Sequence, residues 1–158
     1  MSNYSKVIDT ITNELEVLIT EALIDSDYQP LNFVSDISLN KFQNNSKRYG
    51  ILTGSAQEVT GTVSHITMDQ TFNVFLTDTW SYGGQNQLND KFKREQTLKL
   101  IDRCMDIYNH IASKRNYIDA DVLNVSSLVV NTPSYLDESN VIIQQMSFSL
   151  LHRVRSLK

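Results

Sequence analysis

At 158 residues the chain has single-domain length, and 41% hydrophobic residues supply a core without disulfide or metal staples, since roughly 68–70% of the unfolded surface can be buried at this size. A net charge of −4 with both signs interspersed excludes a surface dedicated to polyanions. The lone Cys104 excludes a disulfide framework and reads as a small buried hydrophobe in a reducing compartment. With no basic-then-apolar leader and no apolar run of spanning length, the expectation is a soluble chain kept in the cytoplasm, where the triplets at Asn3, Asn44 and Asn124 carry no glycan.

In chain order, residues 2–24 place Tyr4, Val7, Ile8, Ile11, Leu15, Leu18, Ile19, Ala22 and Leu23 at spacings of three and four, the stripe of an amphipathic helix. Its polar face has too little basic charge for a membrane-surface helix, so the stripe predicts core packing. Pro30 and the acids before it stop the helix. Residues 31–50 predict one short strand and a polar loop. Arg48 to Leu52 reads as an extended segment that Thr53-Gly54-Ser55 interrupts.

Residues 57–80 predict a long hairpin. Val59, Gly61, Val63 and His65 share one side of the first arm, and Phe72, Val74, Leu76 and Trp80 share one side of the second. Met68, Asp69 and Gln70 are its expected turn, although no Gly sits there. The Ser81 to Gln87 loop has a Gly pair but not the spacing of a phosphate or dinucleotide loop.

Residues 88–115 predict a second helix with two apolar seams, Leu98/Ile101/Met105/Tyr108/Ala112 and Leu100/Cys104/Ile107/Ile111. Asp102, Asp106 and His110 line up at i, i+4, i+8. Charge pairing along a solvated face accounts for them better than a metal does, because no further His or Cys lies at ligand spacing. Residues 122–130 form a strand ended by Thr132-Pro133-Ser134, and residues 135–140 a polar connection. A long last strand runs from Val141 to a basic tip of Arg153, Arg155 and Lys158.

The resulting expectation is an α+β fold in one domain over residues 1–158. A mainly antiparallel sheet with a long β-hairpin is packed by an N-terminal amphipathic helix and a long second helix. No nucleophile, base and orienting group share a recognisable spacing. The acids Asp119 and Asp121 sit at a strand entry, and His65, His110 and His152 read as polar surface or interface residues. The chain therefore predicts no enzyme and no cofactor, catalytic or metal site.

The order of elements resembles the tail terminator proteins of long-tailed bacteriophages, within the wider group of neck, tail-completion and tail-tube proteins. The resemblance is carried by Lys47-Arg48-Tyr49-Gly50-Ile51, by Thr71-Phe72-Asn73-Val74-Phe75-Leu76 and by the helix from Asp90 to Ile111. The Pro133-Ser134-Tyr135-Leu136 connection and the closing Phe148-Ser149-Leu150-Leu151-His152-Arg153-Val154-Arg155 strand also carry it. It spans nearly the whole chain and matches patterns rather than catalytic letters.

The resemblance implies a virion structural protein at the neck end of the tail, assembled in the host cytoplasm. It forms a hexameric homo-oligomeric ring that caps the tail tube, stops tube polymerisation and offers its other face to a head-completion or neck protein. No membrane and no specific nucleic acid is implied beyond DNA passing through the ring. The sister roles are head-tail connector, tail-completion protein and tube subunit, and the contrasting class is a small α+β enzyme or ligand-binding domain with a deep pocket. Axial contacts are expected on the loops at residues 40–47, 81–87 and 135–140, through Asn44, Asn45, Lys47, Tyr82, Gln85, Asn86, Tyr135, Asp137 and Glu138. The surplus length of the hairpin predicts that part of one arm is paired or covered only in the assembled ring.

Overall fold

The computed structural model describes residues 3–26, 28–30, 47–61, 65–79, 90–118, 121–136 and 141–155. Helix α1 (Asn3–Ala22) is followed by strands β1 (Gln29–Pro30), β2 (Arg48–Gly61) and β3 (His65–Thr79). Helices α2 (Asp90–Ser113) and α3 (Arg115–Ile118) lead into β4 (Val122–Val130), β5 (Ser134–Leu136) and β6 (Val141–Arg155). The strands form one sheet in the order β1-β2-β3-β6-β4, with β5 also paired to β6. Every pairing is antiparallel except β1 with β2, so the fold is α+β on a mostly antiparallel sheet.

Helix α1 forms where the apolar stripe predicts it and buries Ile8, Ile11, Leu15, Leu18 and Ile19, with Leu23 buried just past its end. Its threonines would compete for backbone groups elsewhere; here Thr10, Thr12 and Thr20 each donate to the carbonyl four residues back. At its far end the Thr20 and Tyr49 hydroxyls bond, which seats α1 across β2. On α2, Leu100, Cys104, Ile107 and Ile111 form the buried seam, whereas Leu98 and Met105 of the other seam are exposed. The Tyr108 hydroxyl donates to the Val125 carbonyl at 3.2 Å and fixes α2 over β4.

Both long helices lie on one face of the sheet. That face is built from Phe72, Val74 and Leu76 of β3 and Ile142, Met146, Phe148 and Leu150 of β6, each fully buried. Phe72 stacks on Phe148 with ring centroids 5.9 Å apart, and Tyr108 meets Phe148 edge-on at 6.4 Å. The opposite face carries Thr71, Asn73 and Phe75 beside Ser149, Ser147 and Gln145. Cross-strand hydrogen bonds link Thr71 to Ser149 and Gln145 to Asn73 there.

The hairpin is present, but its boundaries differ from the sequence expectation. Met68, Asp69 and Gln70 are not a turn: they lie within β3, opposite Glu58, Gln57 and Ala56 of β2 and opposite His152, Leu151 and Leu150 of β6. The first arm begins at Arg48 and ends at Gly61, and the second begins at His65. The Thr53-Gly54-Ser55 segment does not interrupt β2, since Gly54 and Ser55 together oppose Thr71, which makes a β-bulge. Val59 is a second extra residue between the Glu58–Met68 and Thr60–Thr67 pairs. The short β1 and its parallel pairing were not anticipated, and residues 31–46, with the strand and loop expected there, lie outside the described residues. So do Trp80 and the 81–87 loop.

Candidate functional site

The two edges of the sheet are built differently. On the β4 side the edge strand spans nine residues and is broken by two register shifts. Ser127 there adopts a left-handed φ of 59°, and Arg115 Nη1 donates to the Leu123 carbonyl at 2.8 Å. Bulges and a covering cation are usual protections of an edge against further strand pairing.

On the other side β2 runs for 14 residues, and β1 pairs only with Arg48 and Tyr49. Among the described residues nothing pairs with the outer side of residues 50–61. Glu58 is the sole charged residue in that stretch. Leu52 and Val59 are 44% and 54% exposed, large apolar groups on this strand.

The bulge in β2 rests on one buried amide. Gln70, 2% exposed, directs Nε2 at the carbonyls of Gly54 (3.0 Å), Ser55 (3.2 Å) and Thr71 (3.0 Å), and its Oε1 accepts from the Tyr4 hydroxyl at 2.7 Å. A Cβ at Gly54 would stand 3.1 Å from both the Thr71 carbonyl oxygen and Asn73 Nδ2, a close approach that favours glycine. Tyr4, Ile8, Thr12, Thr53 and Gln70 line a groove of about 380 Å³ above this point, between α1 and the hairpin.

A second cleft, of about 260 Å³, lies beside α2. It collects Lys47, Lys99 and Arg103 with Asp78, Asp102 and Asp106 around Tyr28. Burial, reinforced by the Asp78 carboxylate, pushes the Tyr28 phenol far above its ordinary value, so the group stays neutral. Cations and acids in equal number screen one another, and the cleft offers no convergent charge of one sign.

Of the residues expected to make axial contacts, Asn44, Asn45, Tyr82, Gln85, Asn86, Asp137 and Glu138 lie outside the described residues. Lys47 holds its ammonium 5.8 Å from the Tyr28 ring centre. Tyr135 lies on β5 rather than in a loop; its hydroxyl donates to the Lys93 carbonyl at 3.0 Å and bonds Thr97 at 3.1 Å. It ties β5 to α2, a structural task that the sequence did not reveal.

Among the histidines, His152, expected as a polar surface or interface residue, is 2% exposed on the helix-covered face, a correction as far as a surface position is concerned. Its parity with Phe148 and Leu150 along β6 was the available signal. His110 Nε2 lies 2.8 Å from Glu21 on α1. Among the described residues no three His, Cys, Asp or Glu side chains come together as metal ligands, and no helix is long and apolar enough to cross a membrane. No protein-family model matches the sequence, and no curated protein matches it either.

Proposed function

We propose that the protein is a structural virion component of a long-tailed bacteriophage, a tail terminator. In this reading it closes into a hexameric ring on the last ring of the tail tube, stops tube polymerisation and offers its far face to the neck. The observation that carries the reading is the outer edge of β2 at residues 50–61, with which nothing among the described residues pairs and on which Leu52 and Val59 are exposed. A closed ring repeats one heterologous contact around an axis. An edge strand supplies such a contact with main-chain hydrogen bonds, and the exposed side chains add apolar area and register.

The edges differ in that Arg115 covers β4 while Glu58 is the sole charged residue of β2 residues 50–61, an asymmetry that fits head-to-tail association. The order of elements and its resemblance to tail terminator proteins supply the identity of the axial partners, a tail-tube protein on one side and a head-completion or neck protein on the other. Growth stops there because the far face lacks the tube's own complementarity.

Electron microscopy of phage particles assembled without the protein tests the assignment. Overlong or headless tails are the expected result. Tails of normal length joined to heads would contradict it, and tails absent altogether would point to a tube subunit.

A further inference from the structure

The bulge at Gly54 and Ser55 decides which β2 residues face which way. Before it, Tyr49, Ile51 and Thr53 lie opposite Leu76, Val74 and Phe72 on the helix-covered face; after it, Ala56 and Glu58 take that face opposite Gln70 and Met68. Side chains alternate with a period of two, so one extra residue exchanges the faces of everything beyond it. The same displacement changes which N–H and C=O groups point to the outer side of β2. The residues around the bulge, Thr, Gly, Ser and Ala, are small, so beyond the close approach at Gly54 their side chains do little to hold its position.

We infer that Gln70 is the positioning residue that fixes the phase of the outer β2 edge, and that Tyr4 ties this setting to the seating of α1. A primary amide has two N–H groups, and here they are shared among three carbonyls, two of them from the bulged residues themselves. The amide is buried, so water does not replace those bonds if they are lost, and the bulge carbonyls are left to find partners elsewhere along the strand. The Tyr4 hydroxyl satisfies the remaining carbonyl of the amide and holds it in one orientation. Burial raises the Tyr4 phenol, which therefore remains a donor through the ordinary pH range.

This inference rests on the ring reading only for its consequence, which is that an edge in the wrong phase cannot dock on the neighbouring subunit. The phase itself is a property of the isolated chain. Hydrogen exchange resolved to single amides tests it on wild-type protein, on Gln70→Met, which keeps the volume and removes the bonds, and on Tyr4→Phe. In Gln70→Met, the β2 amides at residues 54–61 that are protected in wild type are expected to exchange about tenfold faster, while β4 and the core of β6 keep their protection. Tyr4→Phe is expected to move the same amides in the same direction by a smaller factor.

Unchanged exchange in β2 for Gln70→Met, or a uniform rise across the whole sheet, would overturn the inference. If that variant does not fold, Tyr4→Phe carries the test, and unchanged β2 exchange in it would be equally decisive. Wild-type protein that shows the expected exchange but forms no ring would contradict the ring reading and leave the role of Gln70 standing.

Discussion

Replacing Leu52 and Val59 together by lysine is the perturbation to which an assembly through the β2 edge is most sensitive. Both lie beyond the cover that β1 provides, and they are 44% and 54% exposed. Full burial of such a side chain contributes about 1.5–3 kcal/mol, so the exposed remainder of the pair has about 2 kcal/mol left to gain in a contact. That corresponds to roughly thirtyfold in an association constant. Lysine on an edge also keeps a charged group where a neighbouring strand would lie, which makes thirtyfold per contact a lower bound of about the right size.

The isolated subunit should hardly respond, because exposed positions away from packed features shift stability by only about 0.5 kcal/mol. Sedimentation velocity over a concentration series, paired with thermal unfolding of the monomer, separates the two effects. Assembly of the double variant at wild-type concentrations would refute the reasoning. A loss of several kcal/mol from the monomer would show that the two residues belong to the core instead.

Two further predictions concern the core beneath this edge. Phe148→Ala should cost about 3–5 kcal/mol in denaturant unfolding, because the ring is fully buried against Phe72 and Tyr108; a cost below about 1 kcal/mol would mean that the face is not packed as described. Burial pushes the Cys104 thiol from 9.0 up to about 12. The folded state therefore holds this proton more tightly than the unfolded one, and the stability tied to it is intact below pH 9 and falls away as pH rises toward 12. Native protein at pH 8 should react with a thiol reagent far more slowly than protein in urea, and Cys104→Ala should lose less stability above pH 9. Equal thiol reactivity in both states would contradict this.

The helices and β6 could be read from the sequence because their periodicities run unbroken: the Ile8 to Ile19 stripe and the Val141 to Leu151 alternation sit in their expected elements. The strand at 122–130 is also in place, although two register shifts break its pairing with β6. The hairpin was legible as two arms but not in its limits. Each bulge in β2 shifts the parity of its alternation, so a pattern counted through Thr53 to Gly61 loses phase twice. The turn was placed at Met68 to Gln70, whereas β2 ends at Gly61, the glycine nearest the true connection.

For α2, periodicity supplied two adjacent seams but not which one the sheet would cover; the covered seam is the one with Leu100, Cys104, Ile107 and Ile111. Nothing in local sequence marks a strand as an edge, since that depends on which strand lies beside it. The contribution of Gln70 was equally hidden. A glutamine in an expected turn looks ordinary, and only the topology turns it toward two bulge carbonyls and the Tyr4 hydroxyl.

The central claim is that the β2 edge joins copies of this chain into a ring that caps a tube. Its most direct measurement is electron microscopy of the purified protein, alone and mixed with growing tail tubes. The account predicts closed rings seated on tube ends and tubes that stop lengthening once capped, with both effects lost in the Leu52→Lys, Val59→Lys double variant. Discrete two-fold dimers, open-ended tubes of the protein itself, or tubes that lengthen unchanged in its presence would contradict it.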